Sequence, residues 1–259
     1  MNRLRIIYKF TLHFFLARHT GGFGVHSPFL FQFTRFVLFE NKPYYNFAKV
    51  EDVRKSLLKD KKKIDIIDFG TSHNRRTTVA AIASHSLKSV KHSQLLFRIS
   101  NYFHVKSVLE LGTSLGISTS YLASPSTKIQ CVSMEGCPQI AAVALQNFRS
   151  LGLENIEVVV GNIDETLENT LLKFGTIDLV FIDANHRFAP VLNYFEKCLP
   201  KMNNNSILII DDIYWSVEME RAWKTIKNHP NVTSTIDLFH LGIVFFNSEL
   251  NKKHYKMRY

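Results

Sequence analysis

Two sets of residues in this sequence have the types and spacing that chemistry needs. The first is Leu109-Glu110-Leu111-Gly112-Thr113-Ser114-Leu115-Gly116, an apolar run that ends in an acid and a glycine turn. Glycine is required where backbone turns sharply or lets a ligand approach closely. The G-x-x-x-G spacing is not the G-x-G-x-x-G fingerprint of a dinucleotide, whose pyrophosphate rests on a helix N-terminus. The preceding carboxylate of Glu110 favours a ligand that carries positive charge instead. A second acid, in Met134-Glu135, follows about 20 residues later, where a strand-end carboxylate binds both hydroxyls of a ribose. Taken alone, Glu135 reads equally well as a solvated loop acid.

The second set is acidic. Phe181-Ile182-Asp183-Ala184-Asn185-His186 and Ile209-Ile210-Asp211-Asp212 are apolar runs that end in carboxylates. In an open parallel sheet, ligands bind beyond the carboxyl ends of the strands. If the two runs are neighbouring strands, Asp183, Asp211 and Asp212 converge. Packed carboxylates repel, so one is protonated or a cation sits among them. Hard oxygen ligands suit Mg²⁺ or Ca²⁺. The competing reading makes Asp183 and Asp212 strand-end or helix-cap acids without a metal. His186 follows Asp183 by three residues; beside a cation it stays neutral and can act as a general base, or it is structural.

The elements that must position these residues are legible from Ser93 onward. Helix Gln94–Phe103 leads to strand Ser107–Leu111, the glycine turn and a further helix. Strand Ile129–Met134 is followed by helix 138–150, strand Ile156–Val160 and helix 166–173. Strand Ile177–Ile182, helix 190–199, strand Ser206–Ile210 and helix Val217–Lys227, N-capped by Ser216, come next. Two apolar runs, Thr233–Phe239 and Gly242–Phe246, are joined by two residues and must form an antiparallel hairpin. Short apolar strands alternating with helices predict a parallel, doubly wound α/β sheet. Residues 1–86 read as a basic, aromatic-rich N-terminal helical extension or cap, and 87–259 as the ligand-binding domain. Ile64 to Ser72 superficially echoes the glycine motif but lacks its second glycine, and reads as coincidence or a substrate-side loop.

Ser93-Gln94-Leu95-Leu96 followed by Val108 to Ser118 resembles the catechol O-methyltransferase-like family of class I methyltransferases, which use S-adenosylmethionine (SAM). The resemblance covers roughly residues 88–247. It implies a Rossmann-like, mostly parallel seven-stranded sheet whose last strand is antiparallel. It implies that SAM is held by Glu110, Gly112, Thr113, Ser114, Gly116, Ser118, Glu135 and Asp183, with Gly161 and Asn162 near the adenine. Ser93 stands where the family has glycine. Catechol-type and macrolide-sugar O-methyltransferases place acids at the second set's positions, and so imply a divalent cation, Mg²⁺, on Asp183, Asp211 and Asp212. Asp183 and His186 are then the catalytic pair, and a small-molecule hydroxyl is the acceptor. The departures at Asn185, His186-Arg187 and Tyr214-Trp215 argue against a simple catechol. Tyr214 and Trp215 are expected to wall the acceptor pocket, unless Trp215 belongs to the core.

Charge bounds the partners. Of a formal +10, residues 1–63 carry 13 Lys+Arg against 4 Asp+Glu. That basic segment suits a membrane surface or another anionic partner, and otherwise is a solvated face. Nucleic acid as the methyl acceptor is disfavoured, because Asp183-Ala184-Asn185-His186 replaces the Asn/Asp-Pro-Pro-aromatic loop of amino-methylating DNA enzymes. A non-catalytic SAM-binding or partner-docking protein, an aminopropyl transferase and a metal-independent methyltransferase stay open, as does a homodimer. Cys131, Cys137 and Cys198 form no CxxC pair and read as thiols in a reducing, cytoplasmic setting.

Overall fold

The computed structural model describes residues 3–66 and 75–259. The chain divides into two compact units, one of residues 1–40 and 174–259, the other of residues 41–173. The unit boundaries thus fall at 40/41 and 173/174, away from residue 86. Ile67 to Ser72, part of the segment that echoes the glycine motif, lie outside the described residues.

The chain opens with helix α1 (Arg3–Leu16) and helix α2 (Pro28–Phe33), which runs on as a π-helical turn, Thr34–Leu38. The Ser27 hydroxyl caps α2 and Pro28 fills its first turn, so the Ser-Pro step starts this helix.

The middle unit continues with α3 (Tyr45–Leu57), β1 (Lys63–Ile66), β2 (Arg75–Thr78), α4 (Val79–Ser86) and α5 (Val90–Tyr102). Next come β3 (Ser107–Leu111), α6 (Ile117–Ala123), β4 (Gln130–Glu135), α7 (Pro138–Leu151), β5 (Ile156–Val160) and α8 (Ile163–Leu171). Strands β3, β4 and β5 pair in parallel, in that order. Their register sets Leu111 opposite Met134 and Glu135 opposite Val160, which brings the carboxyl ends level. Antiparallel β1 and β2 form a separate ladder.

Residues 41–86 are integral to this unit. Phe47, Val50, Leu57, Ile64, Val79 and Ile82 share one apolar cluster with Phe97, Leu115, Tyr121 and Ile140. Phe47 meets Phe97 at 5.1 Å and Tyr121 at 5.5 Å between ring centroids. Buried Ser93 accepts a hydrogen bond from Arg54 Nη2 at 3.0 Å. The residue that breaks the family pattern therefore anchors α3.

The other unit resumes with β6 (Leu179–Ile182), α9 (Phe188–Cys198), β7 (Ile207–Asp211), α10 (Val217–Asn228), β8 (Ser234–Asp237), β9 (Leu241–Phe245) and β10 (Lys253–Lys256). Its strand order is β10-β8-β9-β7-β6. Strands β6 and β7 are parallel, β9 runs antiparallel to both β7 and β8, and β10 lies parallel to β8. The expected hairpin is thus present, and Ser216 caps α10 through Met219 N at 3.0 Å. Among the described residues, and apart from the β1–β2 ladder, β3–β5 in one unit and β6–β10 in the other make eight strands where seven were expected. The extra strand, Lys-His-Tyr-Lys, has no apolar run to announce it; it takes the edge beside β8, where a polar strand costs least. Parallel β-strands alternating with helices make the fold Rossmann-like.

Candidate active site

In the middle unit, Glu110 ends β3 fully buried. Its Oε2 accepts hydrogen bonds from Thr119 Oγ1 and from Ser133 Oγ, the latter at 2.6 Å, and the Ser118 hydroxyl also engages it. Thr113 Oγ1 meets Ser133 Oγ at 2.5 Å and extends the network. Glu110 Oε1 is buried without a hydrogen-bond partner. Burial pushes this carboxyl up to about 7, against the hydroxyl donors that favour its charge. A buried carboxylate oxygen without a donor costs free energy until one arrives.

Glu135 ends β4. Its Oε2 accepts Ser114 N and its Oε1 accepts Cys137 N, each at 2.9 Å, so backbone fixes the carboxylate plane. Each oxygen keeps a second lone pair for a hydroxyl. Burial pushes Glu135 up from its ordinary range, and the backbone donors oppose the shift.

The turn between β3 and α6 needs left-handed backbone: φ is 107° at Gly112, 47° at Ser114 and 82° at Gly116. Gly116 has a further reason to be glycine. A Cβ there would stand 2.6 Å from the Phe148 ring and 3.1 Å from Ala144 Cβ. The side on which a Cβ would stand is filled by α7, so packing alone already requires glycine at this position. Gly161 has φ 143°, donates its N–H to Glu135 O at 2.9 Å and precedes Asn162, which caps α8 through Asp164 N.

The acidic set belongs to the other unit. The β6–β7 register pairs Ile182 with Ile210, so Asp183 and Asp211 leave adjacent strand ends at the same level. Ligand atoms of Asp183, His186 and Asp211 all lie within 4.8 Å of one another, and His186 Nε2 is 3.6 Å from Asp183 Oδ1. Asp212 is not of that trio; its Oδ1 lies 3.9 Å from His240 Nδ1, and its N–H bonds His240 O at 2.6 Å. Left-handed backbone clusters here, with φ of 67° at Asn185, 40° at His186 and 51° at Asp212. Asn, Asp and His tolerate that region best, and such strain collects at functional sites. Asn185 Oδ1 accepts from Arg187, and its Nδ2 donates to the Tyr194 hydroxyl at 3.0 Å, which braces the loop.

Trp215 is 44% exposed, so the reading of it as a core residue fails. The Tyr214 hydroxyl donates to Asp237 Oδ2 at 2.6 Å. Sequence reasoning missed that network, because nothing in spacing signals a partner so far along the chain.

Residues 109–213, from within β3 to just past Asp212, match the methyltransferase domain family model. This stretch of the chain is similar to methyltransferase domains. The catechol O-methyltransferase of Mycobacterium tuberculosis is 30% identical over 129 residues, covering 48% of this chain and 56% of that protein. The catechol O-methyltransferase of Niastella koreensis is 30% identical over 111 residues, covering 42% of this chain and 49% of that protein. The chain therefore spans about half the length of the curated relatives it matches. The solved O-methyltransferase from Bacillus cereus, in complex with SAH, superposes with TM-score 0.57 at 19% identity, over 83% of this chain and 96% of that one. This likeness shows that the methyltransferase fold extends well beyond residues 109–213.

Proposed function

We propose that the protein transfers the methyl group of SAM to a hydroxyl oxygen of a small molecule, with a divalent cation at Asp183 and Asp211. The observation that carries this reading is Glu110. A carboxylate buried at the strand end, with one oxygen unpartnered, fits a cationic ligand and no phosphate. Gly112, Thr113, Ser114 and Ser118 surround it in sequence, and Glu135 is aligned by two backbone donors for ribose hydroxyls. Gly161 and Asn162 border the adenine in this reading.

SAM supplies a methyl carbon made electrophilic by its sulfonium, which leaves as a neutral thioether. The chain's part is alignment and charge. Asp183 and Asp211 offer hard oxygen donors for Mg²⁺, and a cation there lowers the pKa of an acceptor hydroxyl. His186, whose Nε2 lies 3.6 Å from Asp183 Oδ1, takes the hydroxyl proton, and the nearby carboxylate stabilises the imidazolium. Asp212, next in the chain to Asp211, lies outside the close trio, with its Oδ1 3.9 Å from His240 Nδ1.

The mutual closeness of Asp183, His186 and Asp211 favours a second reading of the histidine, as a third ligand. A mixed oxygen and nitrogen set prefers Mn²⁺ or Zn²⁺ over Mg²⁺. His186→Gln separates the two. As a base, its loss slows transfer at an unchanged metal requirement; as a ligand, its loss raises the metal concentration needed.

The test of the function is transfer of labelled methyl from SAM to a panel of vicinal diols and phenols, with and without chelator. Product that disappears with chelator and returns with Mg²⁺ is expected. Full activity in excess chelator contradicts the cation.

A further inference from the structure

Helix α1 is built inside out. Its charged stripe faces the protein: Arg5 Nη2 meets Glu220 Oε2 at 2.5 Å, Lys9 Nζ meets Glu220 Oε1 at 2.6 Å, and buried His13 Nε2 meets Asp237 Oδ1 at 3.0 Å. These positions, with Ala17, recur every four residues and hold the helix on α10 and on the β8–β9 hairpin. Its outward side is apolar. Leu4, Ile7, Tyr8, Leu12 and Phe15 fall at spacings of three and four residues, and Leu4 is 78% and Phe15 71% exposed. A helix on an aqueous surface carries the opposite pattern, polar outward and apolar inward.

The anomaly is concentrated. Eleven of the eighteen large exposed apolar side chains among the described residues lie in the first 36 residues, so this is one patch of the chain and not scatter. Basic groups accompany it. Residues 1–40 hold five Lys+Arg and one acid, and the C-terminal stretch after Glu249 holds four Lys+Arg and no acid. The Arg258 guanidinium packs over the Phe14 ring at 4.1 Å and bonds Phe14 O, which binds the basic C-terminus to α1.

We propose that the outward side of α1 docks on an anionic lipid bilayer, lying in the interfacial plane. No described helix is long and apolar enough to cross a membrane, and fourteen residues span only about 21 Å. An apolar helical stripe flanked by Lys and Arg is the chemistry of interfacial insertion, and the basic flanks select anionic lipid. A second copy of the chain fits less well. It would set like charges against each other, and one helix face of about 21 by 10 Å falls short of the roughly 800 Å² per partner of a stable interface.

The test is flotation of the full chain with phosphatidylcholine vesicles, with and without phosphatidylserine. Binding to the phosphatidylserine vesicles alone, weakened by salt, is expected. Ile7→Ser with Phe15→Ser, both exposed and thus compatible with folding, should lower partitioning by at least about tenfold. Arg18→Glu with Arg258→Glu should reduce the preference for phosphatidylserine. No flotation, or flotation unchanged in the Ile7/Phe15 variant, overturns the proposal. So does a dimer in light scattering that the same variant dissolves without any vesicle binding, since α1 then meets a second copy.

Discussion

At the scale of the residue, Glu110 makes the sharpest demands. Its carboxyl, raised from 4.5 to about 7 by burial, binds a proton more tightly in the folded chain than in the unfolded one. The sign follows: this group favours the fold fully below pH 4.5, and the benefit is lost as pH rises through about 7. The ligand-free protein should therefore lose stability between about pH 5 and about pH 8, and Glu110→Gln should flatten that slope. Urea unfolding at the two pH values reads it. The same substitution should weaken SAM binding by about tenfold to a hundredfold, the cost of a charge-assisted hydrogen bond. Asp183→Asn should do the reverse, abolishing transfer with SAM affinity within about twofold, as separate equilibrium and turnover measurements would show. These acids were legible in the sequence because each ends an apolar strand. The trio was not, because the side-chain turn that brings His186 to Asp183 and turns Asp212 towards His240 depends on left-handed backbone that no spacing reveals.

At the scale of the element, two junctions fix the geometry. Gly116 joins the β3 turn to α6 against the Phe148 ring, with φ 82° and no room for a Cβ. Gly116→Ala should destabilise the protein by about 1–3 kcal/mol, from overpacking and left-handed strain together, as denaturant unfolding would read. Phe148→Leu added to it should recover only the packing part. The second junction is the buried set of His13, Asp237 and Tyr214, which fastens α1 to β8. Burial raises the Asp237 carboxyl, but the hydrogen bonds of His13 and Tyr214 outweigh it and hold the group below its ordinary 3.8. Its contribution is present above pH 3.8 and disappears as pH falls through the lower folded value. Asp237→Ala should cost about 3–5 kcal/mol by leaving its partners uncompensated, and should remove that part of the acid transition. Strands β3 to β9 were legible because β-branched and apolar runs between turns specify them. Helix α3 and strands β1, β2 and β10 were not, since their half-exposed, charged sequences take order from the cores and edges they join.

At the scale of the whole molecule, the stretch similar to methyltransferase domains, residues 109–213, is accompanied by two additions with different physical characters. Residues 41–86 complete the apolar core around Phe97 and Tyr121, so deleting them should unfold the middle unit and not merely change its specificity. Residues 1–40 instead present an apolar helix outward on a basic background. The charge asymmetry was plain in composition; the inverted helix was not, because its cations had to be seen bonded to Glu220 and Asp237. Both additions depend on the reading of the domain itself, and titration calorimetry with SAM tests that reading most directly. One SAM should bind per chain, with affinity reduced in Glu110→Gln and Glu135→Ala and retained in Asp183→Asn. Absence of binding at millimolar SAM, or equal binding in all three variants, would contradict it.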